Sequence, residues 1–191
     1  AETFIHSNPS GDEYEQIKFN NDDIEYQYSH DSGGVFYRYT NNLFRDPTAW
    51  FHYIFRRNGN TGDVFINGAE VTYATESGTP GTSLTWFTNP GSAIEIGRRN
   101  YPGHGAAEYS EILLSDVILL DGVFLDPTDI GEFDEDTGIW VPKDPSGLTF
   151  GNNGFWLAFD DGGFATYSVG KDSSGEDNHF TPTSLLTADL S

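Results

Sequence analysis

Apolar and polar side chains alternate along most of this chain, and a period of two marks a strand with one face buried. Ile24-Glu25-Tyr26-Gln27-Tyr28 shows the pattern most cleanly. Val35-Phe36-Tyr37-Arg38-Tyr39-Thr40 sets Val35, Tyr37 and Tyr39 on one face, and Phe51, Tyr53 and Phe55 share a face between Trp50 and Arg56. Turn-forming clusters separate the runs: Asn20-Asn21-Asp22-Asp23, Asp31-Ser32-Gly33-Gly34 and Asn58-Gly59-Asn60-Thr61-Gly62. Asp63 to Ile66 and Ala69 to Val71, joined by Asn67-Gly68, form the clearest hairpin. Asn-Gly tolerates the positive φ angles that a tight type I′ turn requires.

Further along, a polar loop is expected from Thr75 to Gly91, then a strand from Ala93 to Gly97. An irregular Gly/Pro stretch from Asn100 to Gly105 and an apolar strand from Ser115 to Leu120 follow. One short helix is predicted, capped by Asp126, opened by Pro127, supported by Asp129 and ended by Gly131. Many strands and almost no helix specify an all-β chain. The expected architecture is a two-sheet antiparallel β-sandwich (jelly roll) with at most one short helix. The expected organisation is a sandwich over residues 1–142 and a C-terminal strand-and-loop extension over 143–191. The extension carries the strand Gly154 to Phe159 and would complete this sandwich or a neighbouring one.

Charge narrows the partners. Thirty Asp and Glu against nine Lys and Arg leave a formal net charge of −21, which repels phosphate backbones and anionic lipid. Nucleic acid is therefore excluded as a partner, and divalent cations or neutral sugars fit the surface. No run of about 18 apolar residues is present, so membrane insertion through a helix is not expected. With no Cys there is no disulfide framework and no thiolate zinc site. Ala1 in the place of an initiator Met is expected to reflect processing or a longer parent chain.

Several segments resemble laminin-G-like domains of the concanavalin A-like lectin/glucanase superfamily, as found in marine phage tail-fibre and other virion proteins. Leu43-Phe44-Arg45-Asp46-Pro47-Thr48-Ala49-Trp50-Phe51-His52-Tyr53 and the hairpin Val64 to Val71 carry the likeness first. The strongest segment is Ser115 to Pro127, continuing through Gly131-Glu132-Phe133-Asp134-Glu135-Asp136-Thr137-Gly138-Ile139-Trp140-Val141-Pro142-Lys143. Gly151 to Phe159 and Lys171 to Asn178 extend it. The resemblance implies a sandwich displayed outside a cell or on a virion surface, binding glycan or other subunits and forming a homo-oligomer. Such relatives carry further strands at their N-terminus. An unpaired sheet edge is therefore expected here, covered by a loop from Ala1 to Asp12 or paired by the tail or a neighbour.

Three sets of residues are candidates for chemistry. Glu132, Asp134 and Asp136 would share a face if they lay on one strand, as in sandwich-type glucanases with a Glu-x-Asp-x-Glu motif. Asp136 stands where the second Glu belongs, and Thr137-Gly138 follows, so a loop is expected and no catalytic residue is assigned. Glycoside hydrolase or polysaccharide lyase activity is the alternative, and a purely structural filament or capsid-surface subunit is another. For carbohydrate, Trp86, Phe87, Tyr101 and His104 offer aromatic faces for stacking, with Asn89, Arg99 and Asn100 as polar contacts. For calcium, Asp160 and Asp161 in one Gly-rich cluster and Asp172, Asp177 and Asn178 in another supply oxygen ligands.

Overall fold

The computed structural model describes residues 2–10, 13–30, 34–46, 48–58, 61–78, 87–89, 92–100, 108–160 and 168–183. In chain order the strands begin with β1 (Glu2–Ser10), β2 (Glu13–Asn20), β3 (Asp23–His30) and β4 (Gly34–Thr40). Next come β5 (Tyr53–Asn58), β6 (Thr61–Ile66), β7 (Ala69–Glu70), β8 (Tyr73–Ser77) and β9 (Ala93–Ile96). The short pieces β10 (Arg98–Arg99), β11 (Glu108–Tyr109) and β12 (Val117–Leu119) precede the helix α1 (Pro127–Ile130). β13 (Gly131–Phe133), β14 (Trp140–Pro142) and β15 (Phe155–Leu157) complete the set. The chain is thus an all-β antiparallel sandwich, with one short α-helix among the described residues.

Two compact units result. The first comprises Ala1–Ile112 with Leu125–Lys143, and the second Leu113–Phe124 with Asp144–Ser191. The second is therefore more than a C-terminal tail. Val117–Leu119 supplies the antiparallel partner of Phe155–Leu157, so the tail's strand pairs within its own chain.

The first unit is built on a six-stranded sheet in the order β8-β4-β3-β2-β1-β9, faced by the three-stranded sheet β5-β6-β7. Four hairpin-connected strands form its centre, and β8 and β9 close its two edges. Ile17, Ile24, Tyr26, Tyr28 and Phe36 are buried on its inner face. From the other sheet, the Phe55 ring meets Tyr26 at 4.3 Å between centroids and Tyr53 meets Phe4 at 6.4 Å. Val64 and Ile66, directly opposite Phe55 and Tyr53, point the same way. Each apolar side chain buried in full contributes roughly 1.5–3 kcal/mol. The sandwich also encloses charge. Glu15 is inaccessible to solvent, accepts a 2.7 Å hydrogen bond from the Tyr26 hydroxyl, and lies 3.2 Å from Arg57 Nη1.

Two expectations change here. Glu2–Ser10 is a full strand between β2 and β9 and not a covering loop. Its register breaks between Thr3 and Ile5 and again between Ser7 and Ser10, and such bulges erase the alternation that marks a strand in sequence. The polar run Tyr73–Ser77 is an edge strand on β4, where backbone pairing outweighs composition. Other local signals hold: Asn67 and Gly68 adopt φ of 49° and 77°, and the Asp129 carboxylate accepts from the Asp126 N–H at 2.8 Å.

Candidate functional site

The acidic segment is split between a hairpin and its turn. Glu132 lies in β13 opposite Val141 of β14, with its carboxylate 3.5 Å from Lys143 Nζ. The chain then turns, and the Asp134 carboxylate accepts from the Thr137 N–H and hydroxyl at 2.7 and 2.6 Å. Those bonds draw the Asp134 pKa below its ordinary value. Glu132, Asp134 and Asp136 consequently share no strand face. The six-stranded sheet carries none of them.

Behind this hairpin, Trp140 fixes its position. The indole Nε1 donates to His52 Nδ1 at 2.9 Å, and Phe133 meets the ring edge-on at 5.1 Å. Burial lowers the His52 pKa, which keeps the imidazole neutral and able to accept. Gly68 and Gly131 flank the indole so closely that a Cβ on either would lie within 2.4 Å of it.

In the second unit Asp172 organises its own loop. The carboxylate, 5% exposed, accepts from the N–H of Trp156, Ser174 and Asn178 at 2.9 Å each and from the Ser174 hydroxyl at 2.8 Å. Burial opposes ionisation of this group, but the hydrogen bonds outweigh it and hold the pKa below the ordinary carboxylate value. Asn178 spends its side-chain amide on the carbonyls of Asn152 and Gly154, at 3.0 and 2.8 Å. Asp177 is exposed, 3.8 Å from His179, and Asp160 is exposed too. Asp161 lies outside the described residues. Among the described residues no three His, Asp or Glu side chains are grouped to hold an ion. Calcium at Asp172 would have to compete with four donors already in place.

Of the residues expected to contact sugar, Trp86, Tyr101 and His104 lie outside the described residues. Phe87 is not a surface ring: it is buried at 5% exposure, with its N–H 3.4 Å from Glu15 Oε2. Asn89 is half-buried, and its carbonyl closes a turn by accepting from the Ser92 N–H at 3.0 Å. Arg99 pairs with Glu108 across β10 and β11, and the Asn100 N–H bonds the Glu95 carboxylate. Glu95 also meets Arg98 at 2.9 Å and His6 Nδ1 at 3.4 Å. Burial raises the Glu95 pKa despite Arg98 and the Asn100 N–H. Burial, then Arg99 and Arg98, push His6 down to about 4.

His6 and Glu95 end a larger array. On the face of the six-stranded sheet turned away from β5-β6-β7, cross-strand register aligns Ser77, Tyr37, Gln27, Gln16, His6 and Glu95 in one row over all six strands, with His6 and Gln16 buried. A second row runs Thr75, Tyr39, Glu25, Lys18 and Thr3. Gln16 Nε2 donates to Gln27 Oε1 at 2.5 Å, Lys18 Nζ lies 3.2 Å from Glu25 Oε2, and Asn20 Nδ2 reaches that carboxylate at 3.1 Å. Most of these positions are the polar half of each alternation, but Tyr37 and Tyr39 were expected on the apolar face with Val35, whereas in β4 it is Phe36 that is buried, at 2%, and Val35 is 40% exposed. Only strand register, absent from a linear reading, lines them up.

Comparison with protein-family models, curated proteins and solved structures finds no match for this chain.

Proposed function

We propose that this chain is a non-enzymatic surface module of the laminin-G-like type, displayed outside a cell or on a virion, that binds glycan. The observation that supports this most is the fate of the acidic segment. A carboxylate pair for glycoside hydrolysis needs two groups held across one bond, about 5–9 Å apart on a rigid face. Here Asp134 is spent as a turn cap and Glu132 faces Lys143 on an exposed hairpin. The reading predicts no release of reducing ends from β-glucans, carrageenans or alginates, alongside measurable binding to immobilised glycan. Turnover that Glu132→Gln abolishes would reverse it in favour of a hydrolase or lyase.

A second reading, contact with a neighbouring subunit, is favoured by Phe133 and Ile139. Both are 63% exposed on the β13–β14 hairpin. Large apolar groups exposed together mark contact surfaces. Sedimentation of the purified protein separates the readings, since a monomer at all concentrations leaves adhesion alone.

A further inference from the structure

We propose that Lys18 and Gln27 become joined through their side chains by an amide (isopeptide) bond, which the folded chain forms by itself with loss of ammonia. The site lies on the adjacent strands β2 and β3 at the centre of the six-stranded sheet. It does not depend on what the module binds.

In the β2–β3 register Lys18 stands opposite Glu25 and Gln16 opposite Gln27, so Lys18 and Gln27 are diagonal neighbours on one face. Long side chains bridge such diagonals. Lys18 Nζ lies 3.2 Å from Glu25 Oε2 and 3.4 Å from Gln27 Oε1. The acyl carbon of Gln27 is one bond of about 1.2 Å beyond that oxygen, so a side-chain rotation brings amine and carbon together. Gln16 Nε2 donates to the same Gln27 oxygen at 2.5 Å. A nucleophile, a proton acceptor, an acyl group and a donor for the developing oxyanion are thus in mutual contact.

Burial supplies the remaining conditions. Gln16 is 0% exposed, Glu25 2% and Lys18 8%. Water that would solvate the ammonium is held off, and the pair acts in surroundings of low polarity. A contacting ammonium and carboxylate can there pass a proton and become a neutral amine and acid, because burying two charges is costly. Nor is this a fully satisfied polar network. Gln16 Oε1 is buried with no hydrogen-bond partner among the described residues, yet its Nε2 stays directed at Gln27. The chain has no Cys, so a disulfide clasp is not open to it.

The step balances. Glu25 takes a proton from the Lys18 ammonium, and the freed lone pair attacks Gln27 Cδ. The carbonyl electron pair moves onto Oε1, where the Gln16 N–H holds it. As the carbonyl forms again, the Cδ–Nε2 bond breaks. Two protons pass in all from Nζ to Nε2 by way of Glu25. Ammonium leaves, Glu25 ends as the carboxylate, and Nζ keeps one hydrogen in the new amide. The balance needs no oxidant or co-reactant.

The test is mass spectrometry of the purified full chain, denatured after prolonged incubation in the folded state. The intact mass is expected to fall short of the sequence mass by one ammonia. An Asn-Gly pair such as Asn67-Gly68 can also lose ammonia, so peptides decide the matter. Cleavage before Asp22 and Asp23 separates Lys18 from Gln27, and the two peptides are expected to remain joined. Glu25→Gln, similar in shape but unable to take the proton, is expected to abolish the link while melting stays cooperative. Separate peptides from the folded parent protein overturn the inference, whatever the variant does. Ammonia lost only within the peptide that ends at Asn21 overturns it too, since Asn20, whose Nδ2 reaches Glu25 at 3.1 Å, would then be the acyl group. A link that persists in Glu25→Gln overturns the self-catalysed route.

Discussion

His6 and Asp172 show how far a buried polar side chain departs from its free behaviour. His6 has no exposed surface, and its imidazole, held down to about 4, stays neutral where a free histidine with its value of 6.5 would take up a proton. As pH falls from about 6.5 to about 4, the unfolded chain therefore binds the proton before the folded one. Folding stability falls through that window, by on the order of 2 kcal/mol from this group. Denaturation midpoints measured between these pH values should fall less steeply for His6→Gln than for the parent protein. Equal slopes would show that His6 is not the group responsible. The Asp172 contribution belongs to a lower range. Its depressed pKa stabilises the fold above the ordinary carboxylate value and is lost only as pH drops past that value.

Hairpin β13–β14 shows how an element is held by what it cannot accommodate. Trp140 fits against the backbone of Gly131 and Gly68, and its indole is tied to His52. Gly131→Ala would put a methyl group 2.3 Å from Cζ2, which forces the indole or the strand to move. Overpacking of this kind typically costs about 1–3 kcal/mol. Gly147→Ala, in a short 3-10 turn where nothing lies within 4 Å of the added atom, is the matched control and is expected to change stability by less than about 0.5 kcal/mol. Equal effects in urea melts would mean that Trp140 is not the constraint. Between the two sheets, Glu15 and Arg57 form a buried pair whose value depends on both partners being present, since one charge left alone is strongly destabilising.

Over the whole chain the excess of acid dominates. A net charge of −21 repels itself in the folded state, and added salt screens that repulsion over about 10 Å at 0.1 M. The melting temperature is expected to rise between about 0.01 and 0.15 M sodium chloride. Magnesium and calcium, compared at equal ionic strength, separate screening from a site: a larger shift with calcium places an ion in the acidic loops. No rise with sodium chloride would mean that self-repulsion is not a significant term.

Strand content, the short helix at Pro127–Ile130 and the Asn67-Gly68 hairpin were legible in the residues because each is local. Alternation, a helix start at Asp126-Pro127 and a turn dipeptide act over a few positions of contiguous chain. The acidic loop at Asp172 was visible as a cluster, but its hydrogen bonds with the Trp156 backbone and its own loop were not. β1 escaped notice because bulges interrupt its alternation, and β8 because its residues are polar. The stripe from Ser77 to Glu95 could be found only in the fold: it joins six strands whose order in space, β8-β4-β3-β2-β1-β9, differs from their order in the chain. Register and sheet order arise from backbone hydrogen bonds between distant segments, and no side-chain pattern within a single strand encodes which neighbour it will meet.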